Sequence, residues 1–381
     1  MKRFSKPKTY MDMSLVFIVI FLLCFGLIMV YSASSYEASV DFNGDSTYYL
    51  RSQLRATVIG LAVMVIVTRI DYHFWARMAW PAYIVSLILV LLVMTPLGRT
   101  INGARRWLNI GGLSLQPAEV TKFCMIIFFA TYICGHLKSI KKTSAIMTVF
   151  AFAIVPCLMV MVITQNMSSA IIIFGIVYLM LFIASSDVRP YILFALGAVG
   201  FAVFIVFLVD KNIIPAEISF RLSRIKAWLN PEAYASGKGY QTLQALYSIG
   251  SGGIFGKGLG QSTQKLGFVP EAQNDMIFSI ICEELGLFGA IAVIFIFVIL
   301  IWHIMAVANN APDLFGSLLS VGVMGHFAIQ VVLNIAVVTN TIPNTGITLP
   351  FISFGGSSTL FLLAEIGLVL SVSRSIKADE T

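Results

Sequence analysis

Four carboxylates in the stretch 268–287 are the side chains of this sequence with the clearest chemical potential. Glu271 and Asp275 lie in its polar first half, and Glu283 and Glu284 lie inside the apolar run that follows. Carboxylates exchange protons and hold cations, and ionised side chains at or below a membrane surface are costly and usually functional. The surrounding elements must therefore position four costly charges.

Each of these acids also has a structural interpretation. An aspartate that opens a helix accepts backbone N–H bonds as an N-cap. When Asp275 is considered by itself, this interpretation is favoured over catalysis. Glu283 and Glu284 could be interior acids paired with a buried lysine, for which Lys122 is the candidate. Glu119 stands three residues before Lys122, so these two share a helix face and could pair with each other.

The composition indicates a polytopic membrane protein. Of the 381 residues, 58% are hydrophobic and only 11% are charged, whereas a soluble chain carries about 25% charged residues. The net charge of +7 is small for this length and suits anionic lipid headgroups or an anionic substrate better than nucleic acid. The five cysteines lie in apolar runs without metal-ligand spacing, so they predict neither disulfides nor a metal site.

Ten apolar runs approach the length of about 20 residues that a membrane-spanning helix needs. They cover 13–33, 54–70, 79–97, 118–135, 144–164, 168–185, 190–209, 275–302, 314–338 and 352–373. The predicted fold class is therefore all-α, with ten transmembrane helices and one large loop, about 210–274, between helices seven and eight. Its glycines and apolar stretches predict short interfacial or re-entrant helices rather than a separate domain.

Lysines and arginines predict the orientation, because they concentrate in cytoplasmic loops. With ten helices, four basic clusters fall on one side and place both termini in the cytoplasm. These clusters are Lys2, Arg3, Lys6 and Lys8, then Arg69 and Arg77, then Lys138, Lys141 and Lys142, and finally Arg374 and Lys377. A signal peptide is disfavoured for the basic N-terminus, because the apolar run is long and no small-residue cleavage site ends it cleanly.

Two loops on the opposite, extracytoplasmic side break this charge rule. The loop 98–117 carries Arg99, Arg105 and Arg106, and further cations, including Arg224, lie in 210–274. Cations left on the translocated side suggest an anion-binding role, which we favour for the shorter loop. For the longer loop, the weakening of the rule with loop length is an equally good explanation.

The glycine-rich segment 250–260 does not match a nucleotide site. A phosphate-binding loop needs Ser or Thr after its lysine, and here Gly258 follows Lys257. The dinucleotide spacing also fails, because Gln261 stands where a third glycine is needed. The glycines predict instead a tight backbone path near the membrane surface. The small residues of 349–360 are interpreted as helix packing.

Four long motifs occur in order over nearly the whole chain. They are NGARRWLNIGGLSLQPAEVTK (102–122), RLSRIKAWLNPEAYASGKGYQTLQAL (221–246), GSGGIFGKGLGQSTQKLGFVPEAQNDMIF (250–278) and IPNTGITLPFISFGGSS (342–358). Together they resemble the SEDS (shape, elongation, division and sporulation) family of peptidoglycan glycosyltransferases, which includes FtsW, RodA and SpoVE. The resemblance implies that residues 1–381 form a single SEDS membrane domain.

The resemblance also implies site residues. The proposed catalytic aspartate of the family's PE-x-x-x-D pattern corresponds to Asp275. The RW, QP-x-E-x-x-K, loop-arginine and GYQ patterns, with the glutamate beside the aspartate, supply substrate-binding candidates. These are Arg106 (followed by Trp107), Glu119, Lys122, Arg224, Gln241 and Glu271. Asn166 replaces the acid of a Pro-Asp-Leu-Gly stretch common in the family, so no catalytic role is assigned to it.

The subfamily stays open on these residues. Thr345 stands where FtsW proteins often carry a lysine, which favours RodA or SpoVE. The NGARRW and QPAE segments favour FtsW or SpoVE instead. A role in division, elongation or sporulation is therefore not assigned.

The reaction implied by the resemblance joins lipid II molecules at the outer face of the bacterial cytoplasmic membrane. The sugar 4-hydroxyl of one lipid II is the acceptor, and undecaprenyl pyrophosphate leaves the growing glycan strand. Such chemistry needs a base for the hydroxyl and positive charge for the pyrophosphate. Asp275 suits the first role, and Arg106, Lys122 and Arg224 are candidates for the second. A divalent cation, Mg²⁺ or Mn²⁺, could share that role, although the sequence shows no dedicated metal cage.

The resemblance implies a class B penicillin-binding protein as the cross-linking partner, because the chain shows no soluble transpeptidase domain. Other divisome or elongasome membrane proteins are expected partners, and nucleic acid is not. Two other classes of function stay open, a transporter that flips lipid II and a non-catalytic scaffold. A transporter needs ionisable groups near the membrane midplane, whereas these motifs cluster on the outer side. A scaffold would tolerate loss of the acids.

Overall fold

The structure, a computed structural model, describes residues 11–101, 103–110, 113–137, 143–185, 187–214 and 220–376. Part of the evidence for orientation lies outside these ranges. The residues concerned are Lys2, Arg3, Lys6, Lys8, Lys138, Lys141, Lys142 and Lys377.

Within the described ranges the chain forms thirteen α-helices, nine of which are long and apolar enough to cross a membrane. These nine are α1 (Met13–Asp41), α2 (Tyr48–Arg69), α5 (Pro117–Gly135), α6 (Thr143–Ile163), α7 (Met167–Ala184), α8 (Arg189–Asp210), α11 (Ile277–Asn309), α12 (Leu314–Val338) and α13 (Gly356–Ser373). The shorter helices are α3 (His73–Arg77), α4 (Ala79–Leu92), α9 (Phe220–Leu229) and α10 (Tyr240–Gly252). The protein is therefore a helical, multi-pass membrane protein.

The predicted spans agree with these helices except near their ends. The third predicted span, 79–97, corresponds to α4, which has only 14 residues and is the shorter tenth apolar helix of the described chain. The last predicted span begins at 352, but α13 begins at Gly356. Gly355, the N-cap residue, has an extended backbone with φ 174° and ψ 93°, so the helix starts only after it.

The loop 98–117 contains the one sheet of the described chain. Strands β1 (Gly98–Ile101), β2 (Ala104–Ile110) and β3 (Leu113–Leu115) pair antiparallel in the order β1-β2-β3. Leu108 of β2 pairs with Gly98 on one side and Leu115 on the other. Because Pro117 then opens α5 at its first turn, the sheet leads directly into a buried helix.

The loop 210–274 contains the short helices that its apolar stretches predict. They are α9, a 3₁₀ turn at Glu232–Tyr234, and α10, which packs on the start of α11. Gly252, the last residue of α10, comes so close that a Cβ there would lie 2.0 Å from the carbonyl oxygen of Cys282. The predicted tight backbone path of the glycine-rich segment is confirmed by this contact.

The two ends of the helix bundle can be told apart by the residues that meet there. We call the end where α11 begins, next to Asp275, the site end. At the other end, His303 Nδ1 lies 2.9 Å from a carboxylate oxygen of Asp12, whose N–H donates to Ser373 Oγ at 3.0 Å. The helix is interrupted at Gly286, which has a φ of 67°, and His303 lies 17 residues beyond this break, about 26 Å of helical rise. The beginning of α1 and the end of α13 therefore lie opposite the site end.

Candidate active site

Asp275 lies in a turn immediately before α11 and is only 8% exposed. The N-cap of α11 is Met276, and no side chain caps this helix. The N-cap interpretation of Asp275 is therefore wrong. Asn334 donates its amide hydrogen to the Asp275 carbonyl at 2.9 Å, which orients this turn so that the carboxylate lies beside Gln241 instead of the helix N-terminus.

The environment of Asp275 suits a general base. Burial raises the pKa of Asp275 to about 7, and the nearby Glu271 carboxylate contributes to the rise. Arg224 and the Gln241 amide act in the opposite direction, because each stabilises the ionised form. A carboxyl group whose pKa lies near neutrality can both accept a proton and return it at physiological pH.

Gln241 and Arg224 are joined through Asn344. The Gln241 amide donates to Asp275 Oδ1 at 3.4 Å and to the Pro270 carbonyl at 3.2 Å. Asn344 donates to Gln241 Oε1 at 2.9 Å, and its carbonyl accepts from Arg224 at 3.0 Å. Sequence reasoning missed Asn344, although it lies in the motif 342–358, because that motif supports the resemblance without assigning a role to this residue.

A cavity of about 260 Å³ opens on this network. Its walls come from α9, α10 and the segments that carry the network. They include Arg224, Trp228, Lys238, Gln241, Pro270 and Asn344. The cavity thus offers cationic and amide groups to a polar ligand within reach of the segment that leads to Asp275.

Arg106 brings a second guanidinium to the site end from β2. It is half-buried, and it donates to the carbonyls of Thr164 at 3.2 Å and Gln165 at 3.1 Å. Burial lowers the pKa of Arg106, and the charge of Arg224 lowers it further. No carboxylate of the described residues pairs with Arg106. Two neighbouring cations of this kind produce the positive potential that an anion-binding site needs.

Glu119 and Lys122 form a separate buried pair inside the bundle. Lys122 Nζ lies 2.8 Å from Glu119 Oε1, and the residues are 1% and 6% exposed. Their predicted mutual pairing is confirmed, and the prediction that Lys122 pairs with Glu283 or Glu284 is wrong. Lys122 also donates to Gln330 at 3.2 Å. No hydrogen bond within the described part of the chain joins this pair directly to Arg106 or Arg224.

Glu283 and Glu284 are neutralised by lysines of the glycine-rich segment and its continuation. Lys257 Nζ lies 2.6 Å from Glu283, and Lys265 Nζ lies 2.8 Å from Glu284. Ser32 of α1 donates to Glu284 at 2.6 Å, which links three parts of the chain. These two acids are anchors for the polypeptide around them, because hydrogen bonds and ion pairs occupy their oxygens.

Glu271 completes the set of predicted site residues. It adopts a left-handed φ of 56°, and its carboxylate accepts a hydrogen bond from the Asn274 amide. Among the residues that the structure describes, no group of three or more His, Cys, Asp or Glu side chains could hold a metal ion. Within those residues, the suggested Mg²⁺ or Mn²⁺ has no protein cage of that kind.

Comparisons with known proteins agree on one family. The FtsW, RodA and SpoVE family model, described as cell cycle protein, matches residues 13–378. A Trichlorobacter lovleyi protein named probable peptidoglycan glycosyltransferase FtsW is 40% identical over 368 residues, covering 96% of this chain and 94% of that protein. Stage V sporulation protein E of Bacillus subtilis is 38% identical over 377 residues, covering 97% and 99%.

The fold is also similar to a solved structure. A chain from a study of how a peptidoglycan synthase complex coordinates polymerization and crosslinking superimposes with a TM-score of 0.78. It is 25% identical, and the match covers 97% of this chain and 99% of that chain. The similarity therefore extends over the whole bundle and the site end.

Proposed function

The chain belongs to the cell cycle protein family of FtsW, RodA and SpoVE and is a peptidoglycan glycosyltransferase, and we propose that it polymerises lipid II at the outer face of the bacterial cytoplasmic membrane. The observation that carries this proposal is the position of Asp275. Its buried carboxylate has a pKa of about 7 and lies beside the Gln241–Asn344–Arg224 network, with Arg106 nearby. A base next to two cations matches the needs of glycosyl transfer to an alcohol.

The proposed reaction uses these residues in defined roles. Asp275 accepts the proton of the acceptor 4-hydroxyl as its oxygen forms a bond to the anomeric carbon of the growing strand. The bond between that carbon and the pyrophosphate oxygen breaks, and the electron pair leaves with undecaprenyl pyrophosphate. Arg106 and Arg224 stabilise the developing negative charge. Gln241, with Glu271 beside Asp275, contacts the sugars at the mouth of the site.

Glu119 and Lys122 contribute from inside the bundle. Lys122 Nζ lies 2.8 Å from the Glu119 carboxylate, and both side chains are buried. The Lys122 ammonium group, held in place by Glu119, would contact the pyrophosphate from inside the bundle. We assign these two residues to substrate binding on this ground.

The arrangement of the bundle supports the orientation within the membrane. Asp12 and Ser373 meet at the end opposite the site, and Arg374 donates to the Thr68 carbonyl at that same end. With the site outside, both termini are cytoplasmic and the described Arg374 obeys the charge rule. The segment 210–274 is then the extracytoplasmic loop of a single membrane domain, 1–381.

A partner that cross-links the glycan completes this function. The similar fold comes from a study of a peptidoglycan synthase complex that couples polymerization to crosslinking. A class B penicillin-binding protein, with other divisome or elongasome membrane proteins, is the partner that we assign to this chain.

A second candidate, a lipid II transporter, is favoured by ionisable side chains in the bundle interior. His326 of α12 and Glu365 of α13 lie 2.8 Å apart and are buried. Transporters place such groups near the membrane midplane. Transfer of labelled lipid II across vesicle membranes without glycan formation would support this candidate over the polymerase.

The decisive experiment is polymerisation by purified protein. The chain is incubated with lipid II, with and without its penicillin-binding partner, and glycan length and released undecaprenyl pyrophosphate are measured. We expect glycan from the complex and none from Asp275→Asn. Asp210→Asn, a matched change at an exposed aspartate near the end of α8, should polymerise at the parent rate. Absence of glycan from the parent complex would overturn the proposal.

A further inference from the structure

A stripe of buried polar side chains runs along α12. His326, Gln330 and Asn334 stand four residues apart, so they share one face of the helix. Their exposed fractions are 1%, 1% and 0%. Polar groups at this depth in a membrane bundle are costly and need a specific use. The reaction described above uses none of these three side chains directly.

The two amides of this stripe bond the backbone of the site segments. Asn334 Nδ2 donates to the Asp275 carbonyl at 2.9 Å and to the Ile347 carbonyl at 2.6 Å. Gln330 Nε2 donates to the Thr348 carbonyl at 3.0 Å. Polar residues that only hold a bundle together bond across neighbouring helices. These amides instead reach the turn that carries Asp275 and the segment that follows Asn344.

The orientation of the Gln330 amide follows from its partners. Lys122 can only donate, so the atom facing it at 3.2 Å must be Gln330 Oε1, and Nε2 then faces Thr348. The same Oε1 lies 2.8 Å from His326 Nε2, which must therefore carry a proton. His326 Nδ1 lies 2.8 Å from a carboxylate oxygen of Glu365. Glu365 thereby orients the imidazole.

We propose that this polar ladder, His326, Gln330 and Asn334, positions Asp275 and Lys122 for glycosyl transfer, an inference that rests on the proposed function. Asn334 is a positioning residue that holds the Asp275 turn against the segment 345–349. Gln330 is a positioning residue that accepts a hydrogen bond from Lys122 and donates one to the same segment. His326 and Glu365 keep the Gln330 amide in the orientation that both contacts require.

The test compares Asn334→Leu and Gln330→Met with the parent in the full-length chain bound to its penicillin-binding partner. Each variant removes a donor to the segment 345–349. We expect backbone amides of this segment to exchange with deuterium about 5–10-fold faster, since each lost hydrogen bond is a modest net contribution. We expect kcat for glycan synthesis to fall about 10-fold or more with a smaller change in KM, because misplacement affects the reacting geometry.

A graded variant keeps the proposal testable if Gln330→Met does not fold. Gln330→Glu retains an acceptor for Lys122 and His326 but loses the donor to Thr348. It should therefore keep the Lys122 contact, loosen 345–349, and retain more activity than Gln330→Met. Asn310→Leu, which changes an exposed asparagine at the opposite end of α11, is the matched control and should leave both measurements at the parent values.

The outcomes separate this inference from the proposed function. Variants that fold and show parent values of both exchange and kcat would overturn the ladder. Faster exchange with an unchanged kcat would also overturn it, because the contacts would then be only structural. A parent complex that makes no glycan would overturn the proposed function, and the exchange measurement alone would then decide whether the ladder holds the segment.

Discussion

The Gln241 amide nitrogen lies 3.4 Å from Oδ1 of Asp275, at the junction of α10 and the turn before α11. The bond is long, and Gln241 is held mainly by Pro270 and Asn344. A weak donor stabilises the carboxylate only slightly, so burial dominates and the pKa of Asp275 stays near 7. This relationship leaves Asp275 able to take a proton, which a strongly hydrogen-bonded carboxylate would do poorly.

Replacing Asp275 with asparagine should abolish catalysis and preserve the fold. Asparagine cannot accept the hydroxyl proton, so glycan synthesis should fall by about 10²–10⁴-fold. Because the folded-state pKa is raised, ionisation of Asp275 opposes folding, and this penalty grows as pH rises from about 4 through 7. The free energy of unfolding of Asp275→Asn should therefore exceed that of the parent increasingly over this pH window, by up to about 4 kcal/mol at pH 8, and its melting temperature should rise accordingly. A constant difference across pH would contradict the raised pKa.

Replacing Glu271 with glutamine should change the pH dependence of the reaction. The negative charge of Glu271 helps to raise the pKa of Asp275, so its removal should lower that pKa. In a plot of kcat/KM against pH, the acid limb should move to lower pH. Glu232→Gln alters an exposed glutamate of the same loop and should leave the limb in place. The measurement is the initial rate of glycan formation between pH 5 and 9.

Replacing Arg106 should weaken binding of the pyrophosphate. Loss of one charge-assisted contact to phosphate should remove about 1.5–3 kcal/mol of transition-state stabilisation, which is measured as a fall in kcat/KM. Arg106→Lys keeps the charge but loses the planar donor pair that reaches Thr164 and Gln165, so its loss should be smaller than that of Arg106→Ala. If Arg106→Ala inserts normally and polymerises at the parent rate, the role of Arg106 is only to hold β2 against the turn between α6 and α7.

Variants of the Glu119–Lys122 pair should affect stability and activity differently. Lys122→Met leaves a buried carboxylate without its partner and should destabilise the fold by about 3–5 kcal/mol. The double variant Glu119→Gln with Lys122→Met removes both charges and should recover most of that stability, as measured by melting in detergent. Its glycan synthesis should stay low, because the positive charge is still missing. Recovery of activity in the double variant would assign the pair a structural role alone.

The orientation of the bundle can be tested with two single cysteines. Ser236 is exposed near the site cavity, and Ser375 is exposed beyond the end of α13. In intact cells, a membrane-impermeant maleimide should label Ser236→Cys above the level of the parent with its native cysteines, and should not label Ser375→Cys. Both should react after the cells are opened. Labelling of Ser375→Cys alone in intact cells would place the site in the cytoplasm.

The membrane class and the approximate helices could be predicted from the sequence. Apolar runs determine spanning helices locally, because a lipid environment requires about 20 consecutive apolar residues for each helix. The family motifs select Asp275, Arg224 and Gln241, and the structure connects these three through hydrogen bonds that include Asn344. In this respect the motifs of the sequence predicted three residues that lie in one hydrogen-bonded network.

Only the tertiary structure decided how those residues are held. Asn344 joins Arg224 across 120 positions, and Gln330 joins Lys122 across 208, distances over which no local pattern reports contact. Likewise, Lys257 reaches Glu283 from the segment 250–260, whose glycines let it lie against α11, and Lys265 reaches Glu284 from the continuation of that segment. Buried charges find partners through the packing of the whole bundle, since desolvation forces each one to be compensated wherever the fold supplies an opposite group.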